Sequence, residues 1–273
     1  MNELKNIITV ISVRRLGLLA AIAAITSCST IFTDMSDCPA GLSLHFRYDY
    51  NMSYANALHR KNDCLTVCIY DSEGNIVTSK TESGEVLADE DYRMDIDVPE
   101  GDYEIVAYGG LLCGRSSFTM KEASVKSVPG NINDLYVEMN HDNLTSRQQL
   151  HNLFHGRKEV AMDREFVEDT VYMVKNTNNI RIILQQVQGN PLNASDFTFS
   201  ITDDNTLMNS SNDVIPNGTV TYSPWTMGEE IIGVSEDGDT PVSVAYAEFS
   251  TGRIMAGSGS KLTVTRKDDG EVV

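Results

Sequence analysis

Apolar side chains alternate with polar ones through much of this chain, and the alternation constrains its fold more than any other feature. In the first such segment, residues 42–50, leucine, phenylalanine and tyrosine occupy every second position. Because successive side chains of a β-strand point to opposite faces, this spacing predicts a half-buried strand. The same spacing predicts strands at residues 65–69, 94–98, 103–107 and 135–139.

Turn residues separate these segments. The run 71–75 is Asp-Ser-Glu-Gly-Asn, in which Gly74 can adopt a positive φ, and Ile76 then begins a return strand. This predicts a β-hairpin. A second turn is predicted at residues 99–102, and Gly109-Gly110 is expected to end the strand that follows it.

Strand signals resume in the second half of the chain, at residues 171–174, 180–184, 197–201, 220–222, 242–249 and 262–264. No long amphipathic helix interrupts either series, which predicts an all-β protein. Six or seven short strands in about 100 residues are typical of a β-sandwich. We therefore expect one sandwich at residues 38–145 and a second at residues 146–273.

Two stretches do not follow this pattern. Residues 141–165 are polar, and we interpret them as the link between the domains together with the entry to the second domain. Leu150, Leu153 and Phe154 are expected on one helical turn. The charged turn at residues 267–270 resembles the start of a hairpin without its return strand. We expect either an incomplete second domain or a return strand supplied by another molecule.

The first 28 residues have the order of a lipoprotein leader. Arg14 and Arg15 precede a short apolar run at residues 16–25, and small residues then lead to Cys28. The run is shorter than the roughly 20 residues that cross a bilayer, so it fits a signal peptide. We predict a signal at residues 1–27, lipid attachment at Cys28 by acyl chains such as palmitate, and a tether at residues 28–37. An ordinary signal peptide cut nearby and an uncleaved anchor helix are the alternatives.

Charge restricts the partners. The chain has a formal net charge of −18, and its leader is basic, so the remainder is more acidic still. This charge argues against nucleic acid as a partner, because binding phosphates requires a basic face. The negative charge also argues against direct adsorption to anionic lipid.

Apart from Cys28, the chain has four cysteines, Cys38, Cys64, Cys68 and Cys113. Cys64 and Cys68 would lie about 13 Å apart along one strand, too far for a mutual bond. Export to an oxidising compartment permits pairing. Buried free thiols, or one bridge to Cys38 or Cys113, are both compatible with the sequence.

No catalytic, cofactor or metal site is predicted, and we do not expect an enzyme. His151 and His155 have the i, i+4 spacing of zinc proteases, but Asn152 stands where those enzymes need glutamate. The acidic runs at 89–91, 203–204 and 236–239 lack the spacing of an EF-hand loop. Trp225 is expected to be a structural aromatic at a turn, with a sugar-stacking platform as the alternative.

Several segments, taken in order behind the leader, resemble the FimB-type fimbrial anchor lipoproteins. They are CPAGL at 38–42, IYDSEG at 69–74, VPEGDY at 98–103, VAYGG at 106–110, LFHG at 153–156 and KNTNNIR at 175–181. The resemblance covers residues 38–265. It implies two tandem transthyretin-like β-sandwich domains.

The same resemblance implies a function. The protein would be anchored in the outer membrane by its lipid, hold the base of a fimbria, and limit the length of the filament. Its partner would be the shaft fimbrillin, joined by β-strand addition at an open sheet edge. The alternative within the superfamily is a tip or surface adhesin that binds glycan or host protein.

Overall fold

The computed structural model describes residues 41–121, 128–185, 191–234, 238 and 241–273. Nineteen strands lie within these ranges. They are β1 (Gly41–Arg47), β2 (Cys64–Asp71), β3 (Ile76–Ser83), β4 (Arg93–Ile96), β5 (Gly101–Gly109), β6 (Phe118–Met120), β7 (Tyr136–Met139), β8 (Thr145–Ser146), β9 (Phe154–Met162), β10 (Phe166–Tyr172), β11 (Val174–Lys175), β12 (Thr177–Gln185), β13 (Phe197–Asp203), β14 (Leu207–Asn209), β15 (Val214–Ile215), β16 (Val220–Tyr222), β17 (Thr226–Val234), β18 (Pro241–Gly252) and β19 (Lys261–Arg266).

Helical structure in these ranges is limited to single turns. One is the α-helix α1 (Leu58–Lys61), and the others are 3₁₀ turns at Glu85–Ala88, Ile132–Asp134 and Ala194–Asp196. None of the helices in the described ranges has the length and apolar character that crossing a bilayer requires. The all-β prediction is confirmed.

The strands form five sheets. Sheet 1 has the order β10-β1-β4, and sheet 2 has the order β11-β9-β5-β2-β3. Sheet 3 is β15-β14-β7-β6, sheet 4 is β19-β13-β16-β8, and sheet 5 is β12-β18-β17. Neighbouring strands are antiparallel except for two parallel pairs, β1 with β10 and β8 with β16.

Two apolar cores hold these sheets together. In the first core, side chains of sheet 1 such as Leu44 and Phe46 pack against Val67 and Ile69 of sheet 2. In the second core, Tyr70 and Tyr108 project from the opposite face of sheet 2. This second core continues through sheet 3 into sheets 4 and 5. Sheet 2 is therefore buried on both faces.

The predicted hairpin between β2 and β3 is present. Gly74 has a φ of +81°, and the backbone N–H groups of Glu73 and Asn75 donate to Asp71 Oδ1 at 2.9 and 2.8 Å. These hydrogen bonds, above all the one from Asn75, lower the pKa of the Asp71 carboxyl. The prediction that the next strand ends at Gly109 is also confirmed.

The interpretation of residues 141–165 as a polar link with a helical turn is wrong. Phe154 begins strand β9, which pairs with β5 over nine positions, from Phe154 opposite Gly109 to Met162 opposite Gly101. Charged residues such as Arg157 and Glu159 lie within β9 and conceal its strand pattern in the sequence.

This pairing bears on the domain division. Strands β9, β10 and β11 follow the predicted boundary at 145/146, yet they belong to sheets 1 and 2 with the first half of the chain. Residues 41–273 cluster as one unit. The division into two domains stays a prediction. It does not follow the sheets, because β7 pairs with β14 in sheet 3 and β8 pairs with β16 in sheet 4.

The expectation that the last hairpin lacks a return strand is corrected. Beyond the charged turn, the backbone N–H of Arg266 donates to the Glu271 carbonyl at 2.8 Å. The N–H of Val273 donates in turn to the Val264 carbonyl at 3.0 Å. Residues 271–273 thus run back along β19 and form one isolated β-bridge, with Val272 opposite Thr265.

Of the cysteine pairings left open, the structure contains one. Cys64 at the start of β2 is bonded to Cys113, with Cα atoms 6.1 Å apart, and Cys68 is a buried free thiol. Burial raises the pKa of the Cys68 thiol to about 12. Cys28 and Cys38 lie outside the described residues.

We predict that Cys113→Ser lowers the free energy of unfolding by about 2–4 kcal/mol, because the bridge restricts a long loop in the unfolded chain. Urea unfolding with and without a thiol reductant measures the effect. The variant should be insensitive to reductant, whereas Cys68→Ala, which keeps the bridge, should remain sensitive. A Cys113→Ser protein that unfolds at the wild-type midpoint in the absence of reductant would contradict the prediction.

Candidate functional site

Sheet 5 has two edge strands, β12 and β17, with many exposed side chains. Its centre is β18, which pairs with β12 from Thr177 to Gln185 on one side and with β17 from Thr226 to Val234 on the other. Within the described residues, neither β12 nor β17 has a strand partner on its outer edge. Unpaired N–H and C=O groups along such edges are able to bind an added strand.

Strand β17 also exposes apolar side chains at this edge. Ile231 is 70% exposed and Val234 is 63% exposed, with Ile232 between them. The pairing with β18 shifts between Ile231 and Gly233, which marks a β-bulge. Bulges bend an edge strand and limit indiscriminate pairing, so this edge combines apolar contact surface with an irregular backbone.

The edge of sheet 2 formed by β3 differs in character. Its exposed side chains are mostly polar, from Thr78 to Ser83, and include Lys80 and Glu82. Polar and charged side chains discourage strand addition. Strand β17 also carries two exposed glutamates, Glu229 and Glu230, but it exposes more apolar side chains than β3 does. Of these two edges, β17 is therefore the better candidate for assembly.

A buried polar cluster joins the two halves of the chain near β11. Asn176 and Asn212 exchange hydrogen bonds through their side-chain amides, at 2.7 and 3.1 Å. The Arg253 guanidinium donates to the Asn212 carbonyl. Because buried amides must find partners, this pair fixes the position of the 210–212 loop against residues 153–176.

His155 lies at the same junction, where the buried polar cluster joins the two halves of the chain. It is only 4% exposed, its Nε2 lies 2.9 Å from the Ser210 carbonyl oxygen, and its ring meets Tyr108 edge-on at 5.2 Å. Desolvation lowers the pKa of His155 to about 4, and the nearby cations Arg253 and Arg157 add to this effect. His155 is consequently neutral at pH 7 and donates to the carbonyl.

The two histidines with zinc-protease spacing do not form a site. His151 lies outside any helix and its Nδ1 is 3.2 Å from the Ser117 hydroxyl, whereas His155 points into the junction. In the part of the chain that is described, no group of three or more His, Cys, Asp or Glu residues is placed to hold a metal. Asp203, the buried last residue of β13, accepts a hydrogen bond from the Ser260 hydroxyl at 2.5 Å.

Trp225 lies at the turn before β17, where its backbone N–H donates to the Glu248 carbonyl at 2.9 Å. This agrees with a structural role. Its side chain is nevertheless 37% exposed and lines a cleft of about 260 Å³. Cys28, the predicted lipid site, lies outside the described residues.

Sequence reasoning missed the functional candidates β17, Asn176 and Asn212. Strand β17 is largely exposed, so it has little alternation of apolar and polar residues to reveal it. The two asparagines are 36 residues apart and become partners only through the fold. The exposed Ile231-Ile232 pair was the one signal in the sequence that marked this edge.

Comparison with known proteins places the chain among fimbrial proteins. The sequence profile of the fimbrillin-A associated anchor proteins Mfa1 and Mfa2 matches residues 35–273. A solved structure of a candidate adhesin from Bacteroides thetaiotaomicron is 47% identical, with a TM-score of 0.79 over 88% of this chain and 80% of the other. No curated protein matches the chain.

Two more distant structures share the fold. A candidate polysaccharide-binding protein from Bacteroides thetaiotaomicron is 24% identical, with a TM-score of 0.72 over 86% of this chain and 78% of the other. The fimbrial anchor protein Mfa2 from Porphyromonas gingivalis is 15% identical, with a TM-score of 0.66 over 86% of this chain and 81% of the other.

We predict that acid weakens the junction through His155. Because its folded pKa of about 4 lies below the ordinary 6.5, the unfolded chain binds a proton first as the pH falls. The free energy of unfolding should therefore drop by about 2 kcal/mol between pH 7 and pH 5. Urea unfolding at both pH values measures this drop.

The matched control is His155→Gln, which removes the titrating group and leaves an amide able to donate to Ser210. This variant should lose less stability over the same pH range. An equal loss in variant and wild type would assign the acid sensitivity to other groups.

Proposed function

Because the chain belongs to the family of fimbrillin-A associated anchor proteins, we propose that it is an outer-membrane lipoprotein holding the base of a fimbria and limiting its length. The match over residues 35–273 carries this proposal. The family works in fimbriae at the cell surface and is structural, so we assign no enzymatic activity to the chain.

We propose that Cys28 carries the lipid. The described body begins with β1 at Gly41, so twelve residues separate this strand from Cys28. An extended segment of that length reaches about 40 Å. Acyl chains at Cys28 would then hold the first sandwich within that distance of the membrane.

The position of β1 suits a strand that bears load. It lies in the middle of sheet 1, paired with β10 over seven positions and with β4 over four. Since β1 and β10 are parallel, a pull on the start of β1 that is resisted at the end of β10 would load their hydrogen bonds together, in shear, and would not open them one at a time. This arrangement supports an anchoring role.

The proposed partner is the shaft fimbrillin, joined by strand addition. The free edges of β12 and β17 supply unpaired backbone groups, and Ile231 and Val234 supply apolar contact. Sheet 5 belongs to the second half of the chain, whereas β1, which follows the tether, belongs to sheet 1. Membrane and filament would thus act through different sheets.

A second candidate function is adhesion. It is favoured by the 47% identity to a protein described as a candidate adhesin. The two functions differ in where the protein stays, since an anchor remains in the membrane fraction and a tip adhesin leaves with detached filaments.

We predict that Cys28→Ala releases the protein from the membrane fraction, because no acyl chain is then attached. Fractionation followed by immunoblotting measures the distribution. Cys38→Ala is the matched control, since it removes a nearby cysteine that lies outside the leader, and it should stay in the membrane. Wild-type retention of Cys28→Ala would remove this residue as the anchor.

Deleting the gene in its native cell tests the function as a whole. We expect filaments to be shed into the medium and to be longer than normal, as counted by electron microscopy. Filaments that remain attached at normal length would contradict anchoring and favour the adhesin.

A further inference from the structure

The cleft beside Trp225 brings together side chains that neither the anchoring proposal nor the fold requires. Its polar lining consists of Gln149, Asn179 and Arg181 together with Glu248, and the indole of Trp225 forms one side. The cleft has a volume of about 260 Å³, which suits a small ligand and not an extended peptide.

The cleft is held in shape from several directions. Strand β8 runs parallel to β16, with Thr145 opposite Thr221, and this pairing places the segment containing Gln149 beside the segment containing Trp225. The Trp225 backbone is hydrogen-bonded to Glu248 in β18. The backbone on these sides of the cleft is therefore fixed before any ligand binds.

Arg181 is also fixed in place. Its Nε donates to Glu248 Oε1 at 2.7 Å, and its guanidinium lies over the Tyr246 ring with Cζ 5.0 Å from the centroid. Tyr246 lies across Gly228 of β17, where an added Cβ would come within 2.6 Å of the tyrosine hydroxyl. The ion pair cancels its own charge, so the cleft has no net attraction for an ion.

Several polar atoms remain available in this cleft. Among the described residues, the Gln149 side-chain amide, the Trp225 indole N–H, Asn179 Nδ2 and Glu248 Oε2 have no hydrogen-bond partner. Glu248 Oε1 is already occupied by Arg181, and Asn179 Oδ1 accepts from Ser250 at 3.1 Å. The free set thus contains both donors and acceptors around one aromatic face.

We propose that this cleft binds an uncharged pyranose sugar. The apolar C–H face of a sugar ring packs on the indole of Trp225. Its neighbouring hydroxyl groups, each both donor and acceptor, match the planar amides of Gln149 and Asn179 and the free oxygen of Glu248. We expect the sugar to be uncharged because Arg181 and Glu248 neutralise each other within the cleft. This site does not depend on the chain being an anchor.

The chain itself supplies the reporter for a test. Trp225 is its one tryptophan, so selectively excited indole fluorescence reports on this cleft. The full-length protein, purified in a sugar-free zwitterionic detergent, is titrated with D-glucose, D-galactose, D-mannose and N-acetyl-D-glucosamine. At least one sugar should shift the emission saturably with a Kd in the millimolar range, as a single ring with few contacts allows. D-sorbitol, which has hydroxyls but no ring, should not.

Matched variants locate the binding. Glu248→Ala and Arg181→Ala should each weaken binding about tenfold or more, because each removes a charge-assisted hydrogen bond or the group that positions it. Tyr172→Ser removes an aromatic that is 65% exposed elsewhere and should bind as the wild type does. Trp225→Phe keeps an aromatic face and should bind more weakly. Because this variant lacks the fluorescent indole, its binding is measured by saturation-transfer NMR.

Three results would overturn the proposal. One is an emission that none of the four sugars changes. Another is an equal response to sorbitol, which would indicate a solvent effect. The third is unaltered affinity in both Glu248→Ala and Arg181→Ala, which would place any binding outside the cleft. Thermal unfolding of each variant checks that it is folded. If Arg181→Ala does not fold, Arg181→Lys, which keeps the positive charge, takes its place.

Discussion

The burial of sheet 2 on both faces is the constraint on which the rest of this structure depends. In strand β2, Val67 and Ile69 face the first core, and Cys68 and Tyr70 face the second. Each of the two buried faces of this strand needs a sheet packed against it, and a single two-layer sandwich supplies only one. It requires sheet 1 on one side and sheet 3, with the second half of the chain, on the other.

This constraint explains why much of the fold was predictable and why the segment that connects its two halves was not. Strands whose apolar and polar side chains lie on opposite faces, such as β1 and β12, alternate in sequence and were predicted. The all-β class and the family resemblance were confirmed together. The strand β9 was missed because it pairs with β5 in the middle of sheet 2 while carrying charged residues such as Arg157 and Lys158. Where pairing is distant in sequence, local pattern does not reveal it.

The candidate sites show the same limit more sharply. Trp225 was recognised as an aromatic at a turn, but Gln149 and Arg181, which share its cleft, are far from it in sequence. Only the parallel pairing of β8 with β16 and the centre position of β18 bring them together. A single polar residue in a sequence indicates a site only after the sheet order is known.

The buried amides at the junction have a consequence for how force crosses the molecule. Apolar packing between sheets 2 and 3 is strong but not directional. The reciprocal bond between Asn176 and Asn212 is directional, and Asn212 adopts a φ of +68°, which asparagine tolerates better than most residues. Breaking that register would leave two buried amides unsatisfied, each at a cost of about 1–3 kcal/mol. The two halves are therefore held in one orientation, which the proposed loading at β1 and binding at sheet 5 would require.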